Sequence, residues 1–397
     1  MSDFPQATLE QWQARVAAVL KGDGNLEKLV SQTADGIRIQ PLYQQMQEPR
    51  ADRAFHGPWN VLQRVDHPDG NRANLQALED LENGANGLSI VLNSGDCARG
   101  FGLATADQIE SALQDVALHA IHTRLEGGAA LASAFARHVE KQPIDPARLD
   151  VTFGLRDAAP LKNLLAQGFT GPFLEADGRA LHDAGATEAQ ELACVLSLIV
   201  GYLRKLDHLP PEALGQAVSA ALSANQDMFL GMAKFRAMRL LWTRVLEASG
   251  LPHHPLHLHG ETSWRMMARL DPHSNILRAT AAVFAAGLGG ADSFTVLPFS
   301  LAQGLPNGFA RRMARNTQAI LLEESQLWRV ADAASGAGYV ESLTHELCSH
   351  AWTLFQAIEK SGKLPEFNAV NTSSDAVIGT RSYQLANEFE AAVETVA

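Results

Sequence analysis

Two histidines that alternate along one short segment are the residues of this sequence best suited to binding a metal. His257 and His259 end the run His253-His254-Pro255-Leu256-His257-Leu258-His259, and side chains two positions apart share one face of a strand. Imidazole nitrogens bind several transition metals, but two ligands do not complete a site. Metal-dependent hydrolase barrels with this pair carry it on their first strand and add later His and Asp ligands. Because the pair comes late in this chain, the spacing favours histidines that line a polar barrel mouth or an interface.

His182 lies in a second segment whose residue types suggest chemistry. Residues 180–185 read Ala-Leu-His-Asp-Ala-Gly, which nearly matches the DxHxxG signature with which some proteins bind the cobalt of cobalamin through a histidine. Ala180 replaces the aspartate of that signature, and such a carboxylate normally fixes the tautomer and basicity of a ligand histidine. We therefore predict no cobalt ligand at His182.

Other chemical motifs are missing from the sequence. Cys97, Cys194 and Cys348 lie far apart without a CxxC pair, so neither a zinc ribbon nor a disulfide framework is indicated. We find no GxGxxG turn after a predicted strand, no P-loop, no GxSxG and no HExxH. These motifs alone name no reaction.

Composition narrows the class of protein. The 397 residues are 46% apolar and 19% charged, which excludes a disordered chain. The formal charge is −12 and no basic run follows a phosphate backbone, so nucleic acid is not expected as a partner. The longest uncharged stretch, 293–310, is broken by prolines and glycines, and the N-terminus has no basic segment followed by an apolar one. We therefore expect a cytoplasmic protein without a membrane span.

Short apolar segments alternate with helical patterns along most of the chain, which is typical of parallel βαβ units. Nearly all are followed by a predicted helix, which favours an eight-stranded barrel over a Rossmann sheet. We predict an α/β fold: a (β/α)8 TIM barrel over residues 51–385, an N-terminal helical arm over 1–50 and a C-terminal tail over 386–397. The predicted strands are Trp59–Val65, Leu88–Leu92, Ala120–Leu125, Leu149–Phe153, Phe169–Leu174, Leu256–His259 and Phe294–Phe299.

The sequence also predicts where one helix begins and which residues fill the barrel interior. Thr187 and Gln190 have the spacing of a capping box, in which each side chain satisfies a free backbone N–H at the start of a helix. Barrel interiors are usually filled by branched apolar side chains. The residues predicted to fill this one are Val61, Leu88, Ile90, Leu92, Val296 and Leu297.

Several long strings of the sequence resemble methylmalonyl-CoA mutase. In the second half they include Gly260-Glu261-Thr262-Ser263-Trp264, the run from Arg269 to Thr280, and Gly289-Gly290-Ala291-Asp292-Ser293. Upstream, Gln63-Arg64-Val65-Asp66-His67-Pro68 and Asp80-Leu81-Glu82-Asn83-Gly84-Ala85 look like the small subunit of the heterodimeric enzyme. The resemblance runs in order through roughly residues 8–385.

The resemblance implies a (β/α)8 barrel that carries a CoA thioester, with adenosylcobalamin held against its mouth by a separate flavodoxin-like domain. Cleavage of the cobalt–carbon bond gives the radical that interconverts methylmalonyl-CoA and succinyl-CoA. Full-length members carry the cobalamin domain after the barrel, whereas this sequence stops at Ala397. We therefore expect adenosylcobalamin in the complex but no histidine-ligated cobalamin on this chain.

The sequence departs from the family's catalytic pattern at two places. Active chains read Pro-Trp-Thr-Ile-Arg-Gln-Tyr near the first strand; here Pro58 and Trp59 are followed by Asn60, Leu62 and, at the tyrosine position, Arg64. A second family string supplies a histidine near the thioester carbonyl, and that position falls on Ala180. If the segment is extended, His182 points to the opposite side and is a poor substitute. We therefore assign no catalytic, cofactor-binding or metal-binding residue.

The resemblance, with these two departures, predicts a non-catalytic barrel that docks onto the catalytic large subunit of methylmalonyl-CoA mutase as its heterodimer partner. One alternative is an acyl-CoA mutase barrel that uses a separately encoded cobalamin-binding domain. A third is a metal-dependent hydrolase barrel that uses His257 and His259.

Overall fold

Eight parallel strands form the centre of the molecule. The computed structural model describes residues 7–20, 26–46, 50–51, 53, 56–367, 377–380, 382–384, 386 and 390–395. We number the strands of the central sheet β1 (Asn60–Val65), β2 (Gly87–Val91), β3 (His122–Glu126), β4 (Asp150–Thr152), β5 (Leu174–Asp177), β6 (Val218–Ala224), β7 (His257–Thr262) and β8 (Ser293–Thr295).

The sheet closes on itself. Its hydrogen-bonded order is β4-β3-β2-β1-β8-β7-β6-β5, with every neighbour pair parallel. Beyond β4 the chain continues to Leu155, which forms a parallel bridge with Leu174 of β5. The N–H of Glu175 donates to the carbonyl of Leu155 at 2.9 Å. The prediction of a (β/α)8 TIM barrel is therefore confirmed.

All seven predicted strands overlap an observed one, although the fifth shares only Leu174 with β5. The fifth prediction was wrong over most of its length: Phe169 and Phe173 are buried but not in a strand, and β5 begins at Leu174. The prediction missed β6 altogether because Val218–Ala224 consists mainly of alanine and serine, which are not enriched in strands. Burial on both faces stabilises it as a strand despite this composition.

Helices surround the barrel. The predicted capping box is present: the Thr187 side chain accepts from the N–H of Gln190, and the Gln190 side chain accepts from the N–H of Thr187.

The helices are α1 (Leu9–Leu20), α2 (Gly70–Glu82), α3 (Ile109–Ala112), α4 (Gly128–Glu140), α5 (Leu161–Ala166), α6 (Arg179–Asp183), α7 (Glu188–Lys205), α8 (Pro211–Gln216), α9 (Met228–Ser249), α10 (Ser274–Gly289), α11 (Gly308–Ala319) and α12 (Gly338–Ser361). Among the described residues, no helix is both long and apolar enough to span a membrane.

A described segment near each end of the chain forms a short two-stranded ladder. Near the N-terminus, Ser31–Gln32 pairs antiparallel with Arg38–Ile39. Near the C-terminus, Val393–Glu394 pairs with Leu305–Pro306, and the carboxylate of Glu394 accepts hydrogen bonds from α2. The donors are Arg72 Nη2 at 3.1 Å and Gln76 Nε2 at 3.0 Å.

Asp35 fastens the N-terminal segment to the barrel. Its carboxylate accepts from the hydroxyl of Thr187 and, at 3.2 Å, from the N–H of Ala189. Both donors lie at the start of α7, where free N–H groups and the helix dipole favour a negative charge. Asp35 therefore acts as a second cap for α7 supplied from outside the helix.

We expect Asp35→Ala to lower the free energy of unfolding by about 1 kcal/mol, because it removes a helix cap. Urea unfolding measures the change. Glu27→Ala is the matched control, since Glu27 pairs with Arg38 in the same segment but both side chains are at least half exposed. We expect this variant to lower the free energy of unfolding by less than about 0.5 kcal/mol. Equal losses for the two variants would contradict the capping role.

Candidate functional site: the barrel interior

The inward faces of the strands follow a simple rule. Even-numbered strands contribute small residues to the interior, such as Ser89, Thr152 and Ser219. Odd-numbered strands contribute long charged or aromatic side chains that reach across the space left by the small ones. These long residues are Arg64 on β1, Arg124 and Glu126 on β3, Glu175 on β5, and His257, His259 and Glu261 on β7. The interior is therefore polar rather than filled by branched apolar residues.

Arg124 projects from β3 into the barrel interior, and its side chain is 1% exposed. Its guanidinium bonds both carboxylate oxygens of Glu175, one at 2.6 Å, in the bidentate geometry that makes such pairs strong. Its Nε donates to Glu126 at 3.1 Å, and the hydroxyl of Ser89 donates to the same carboxylate at 2.7 Å. These four side chains join β2, β3 and β5 across the interior.

Arg179 forms the next layer toward the C-terminal ends of the strands. It is 2% exposed and donates to Glu261 at 2.8 Å, to Asp177 at 2.9 Å and to Glu126 at 3.1 Å. Because Glu126 also binds Arg124, the two layers form one continuous network. We call this network, with Arg64, the axial ion-pair network.

Arg64 on β1 is the residue that the sequence resemblance aligns with the tyrosine of active chains. Its Nε donates to Asp66 at 2.9 Å, and Nη2 donates to the carbonyl of Ala98 at 2.9 Å. Another of its nitrogens lies 3.7 Å from Glu261. The side chain is 1% exposed, so this position is filled by a paired charge.

The network is held in its charged form. Burial alone would raise the pKa of Asp177, but the Arg179 guanidinium more than reverses this and holds the pKa at about 2. Burial acts in the same direction on Glu126, and Arg179 with Arg124 lowers its pKa well below the ordinary value. The carboxylates remain ionised at neutral pH and keep their partners in place.

The predicted apolar filling of the axis was wrong. Ser89 contacts Glu126 inside the barrel, and side chains alternate along a strand, so Leu88 and Ile90 face the surrounding helices instead. The sequence does contain a signal for the real filling. Charged residues recur at every second position in otherwise apolar strands, in Arg64-Val65-Asp66, Arg124-Leu125-Glu126 and Glu175-Ala176-Asp177.

The two alternating histidines lie at the other end of the axis. Nε2 of His257 and Nδ1 of His259 lie 3.2 and 2.9 Å from the hydroxyl of Ser293, and the ring of His257 stacks on His122 with centroids 5.0 Å apart. In the part of the chain that is described, the three-residue groups with metal-binding spacing do not include either histidine. Both histidines therefore line a polar end of the barrel.

A cavity lies at each end of the barrel. One of about 290 Å³ is bounded by Cys97, Arg156 and Asp177 together with Arg124 and Arg179 of the network. The other, of about 420 Å³, is bounded by residues near the N-terminal ends of the strands, among them Trp59, Asp150 and His257. The two cavities share no lining residue, and the network lies between them.

The expectation that His182 lies on an extended segment was wrong. The segment is helical, as α6, and His182 is 1% exposed. Its Nε2 lies 2.8 Å from the hydroxyl of Ser263 and its Nδ1 lies 3.3 Å from Glu191. The side chain of His182 is 1% exposed, so a cobalamin ring outside the barrel would not reach its imidazole, and the residues present do not fit histidine-ligated cobalamin.

The closed eight-stranded barrel with charged odd-strand interiors defines an α/β protein of the TIM-barrel class. The family model described as methylmalonyl-CoA mutase matches residues 173–396. The chain is 37% identical over 91% of its length to the methylmalonyl-CoA mutase small subunit of Streptomyces virginiae and 33% identical over 97% to that of Propionibacterium freudenreichii subsp. shermanii. The chain therefore belongs to the methylmalonyl-CoA mutase family.

The chain spans about two thirds of the length of these relatives, 65% of the Streptomyces protein and 67% of the Propionibacterium protein. A probable small subunit from Mycobacterium tuberculosis is 35% identical over 92% of this chain and 68% of its own length. Members of the family use adenosylcobalamin.

Proposed function

We propose that this chain is a non-catalytic barrel that docks onto the catalytic large subunit of methylmalonyl-CoA mutase and stabilises it. The observation that carries the proposal is the axial ion-pair network. A barrel that carries an acyl-CoA thioester along its axis needs open space there. Here Arg124 of β3 pairs with Glu175 of β5, and Arg179 joins carboxylates from β3, β5 and β7.

Displacing the side chains of the network would also cost much free energy. Breaking a buried ion pair leaves an uncompensated charge, which costs about 3–5 kcal/mol for one pair. An entering pantetheine chain offers amide and hydroxyl groups but no charge to replace Arg124 or Arg179. The favourable contacts of the pantetheine chain would therefore be offset by the free energy needed to separate these ion pairs.

The two departures from the catalytic pattern support the same function. At the tyrosine position, Arg64 is bound to Asp66 and to a backbone carbonyl. At the histidine position, Ala180 offers no polar group, and His182 is committed to Ser263. Stabilising charge at a thioester oxygen requires donors placed there in advance, and neither position supplies one.

Adenosylcobalamin would then be bound by the catalytic chain, because buried His182 does not fit histidine-ligated cobalamin. We place the complex in the cytoplasm and divide this chain into an arm over 1–50, a barrel over 51–385 and a tail over 386–397. The division assigns docking to the outside of the barrel and the terminal segments.

Co-expression with the large subunit from the same organism tests the docking. We expect the two chains to copurify at 1:1, with a mutase rate higher than that of the large subunit alone. The proposal fails if this chain remains monomeric and the rate is unchanged. It also fails if this chain alone turns over methylmalonyl-CoA when mixed with a separate cobalamin-binding domain, which would favour an acyl-CoA mutase barrel.

A further inference from the structure

Three buried ligand residues converge outside the axial ion-pair network. His182 lies on α6, and Glu188 and Glu191 lie in the first turns of α7. All three are buried, and one donor atom from each lies within 4.8 Å of the other two. We call these three residues the His–Glu cluster. One nitrogen and two carboxylate oxygens in this arrangement are a donor set that proteins use for divalent metals.

Each member of the cluster is oriented by a neighbour that binds its other donor atom. In metal sites, such partners fix the ligand's rotamer and, for histidine, its tautomer. The neighbours are the N–H of Ser223 on Glu191 Oε1 at 2.9 Å, the side-chain amide of Asn225 on Glu188 Oε1 at 2.9 Å, and the hydroxyl of Ser263 beside His182 Nε2 at 2.8 Å. Glu188 Oε2, Glu191 Oε2 and His182 Nδ1 remain for a common partner.

His182 Nδ1 makes no hydrogen bond although the residue is 1% exposed. It lies 3.3 Å from Glu191 Oε2 without hydrogen-bond geometry. A buried polar atom without a partner is uncommon in proteins and marks a place where a water or an ion would fit.

The common partner in this structure is the ammonium group of Lys234 on α9. Its Nζ contacts Glu188 Oε2 and lies 2.8 Å from Glu191 Oε2, and the side chain is 1% exposed. Burial disfavours the charged form of this lysine, but Glu188 and Glu191 more than compensate, so its pKa is raised. The single positive charge offsets only one of the two carboxylates.

We propose that the His–Glu cluster is a metal-type ligand set in which the ammonium of Lys234 takes the place of the metal. Shortening Lys234 would then create a site for a borderline divalent transition metal, such as Co²⁺ or Zn²⁺, with His182, Glu188 and Glu191 as ligands. Mg²⁺ and Ca²⁺ are not expected there, because they prefer all-oxygen ligand sets. The inference does not depend on whether the chain docks onto a catalytic subunit.

Cobalt binding to Lys234→Ala tests the proposal. Purified without metal, this variant should have a lower melting temperature than the wild type. CoCl₂ should then bind at one ion per chain with visible absorption bands and raise the melting temperature by roughly 5 °C, as expected for a ligand at about a hundred times its Kd. The wild type should take up no cobalt, and MgCl₂ should leave both proteins unchanged.

The double variant H182A/K234A is the matched control, since it keeps the cavity and both carboxylates but loses the nitrogen ligand. Equal cobalt uptake by the single and double variants would overturn the proposal, as would a folded Lys234→Ala that takes up none. If Lys234→Ala is insoluble, Lys234→Ser is refolded with and without ZnCl₂. Recovery that depends on zinc supports the proposal; recovery independent of zinc, or no recovery in either condition, overturns it.

Discussion

Arg179→Ala is expected to lower the free energy of unfolding by about 3–5 kcal/mol, since it removes one partner of a buried charge cluster. Asp177, Glu126 and Glu261, whose side chains are at most 7% exposed, would each lose a hydrogen-bond donor. Stabilities of ordinary domains are about 5–15 kcal/mol, so the variant would lose a large share of the total. Urea unfolding followed by circular dichroism measures the loss.

The control for this variant is Arg137→Ala. Arg137 also pairs with a carboxylate, that of Asp107 at 2.8 Å, but both side chains are more than half exposed. Exposed pairs of this kind contribute about 0–1 kcal/mol. If Arg179→Ala unfolds at the same urea concentration as Arg137→Ala, the axial ion-pair network does not hold the barrel together.

The second large effect is a loss of stability in mild acid that depends on His257. Burial lowers the pKa of His257 to about 4, and neighbouring His122 adds to the shift while Asp292 and Asp150 oppose it. The unfolded chain binds this proton near pH 6.5 and the folded chain does not. Stability is therefore complete above pH 6.5 and falls by about 2–3 kcal/mol as the pH decreases toward 4.

His257→Gln should remove the contribution of this histidine and so reduce the slope between pH 7 and pH 4.5, because glutamine does not titrate. Buried His259, whose pKa is also lowered, keeps its own contribution. Urea unfolding at several pH values measures it, with His119→Gln as the control at an exposed position. Equal slopes for the wild type and His257→Gln would contradict the assignment. A separate fall is expected at lower pH from Asp177, whose contribution is present above its unfolded pKa of 3.8 and is lost as the pH approaches 2.

The barrel could be predicted from sequence because strand and helix periodicities alternate so regularly. The failures have physical reasons. β6 was missed because its alanines and serines have little strand propensity, and burial between neighbouring strands stabilises it instead. The interior was misassigned because a face cannot be chosen from apolar residues when both faces are buried, whereas the charges at alternate positions, such as Arg124 and Glu126, do mark it.

The surroundings of His182 could not be predicted in this way. Its hydrogen-bond partner Ser263 directly follows β7, and Lys234, which pairs with its neighbour Glu191, lies within α9. Only the closure of the barrel brings these residues together. The resemblance to active chains does, however, predict that the family's tyrosine is replaced by Arg64 and its histidine by Ala180. Such a comparison is made position by position and needs no structure.

The number of acyl-CoA molecules bound per heterodimer is the most direct test of a non-catalytic barrel. The reconstituted complex with the large subunit would be dialysed against radiolabelled methylmalonyl-CoA in the absence of adenosylcobalamin, so that no turnover occurs. We predict one molecule per heterodimer, bound by the catalytic chain alone, and none by this chain in isolation. Two molecules per heterodimer, or saturable binding to the isolated chain, would contradict a filled axis and the function proposed from it.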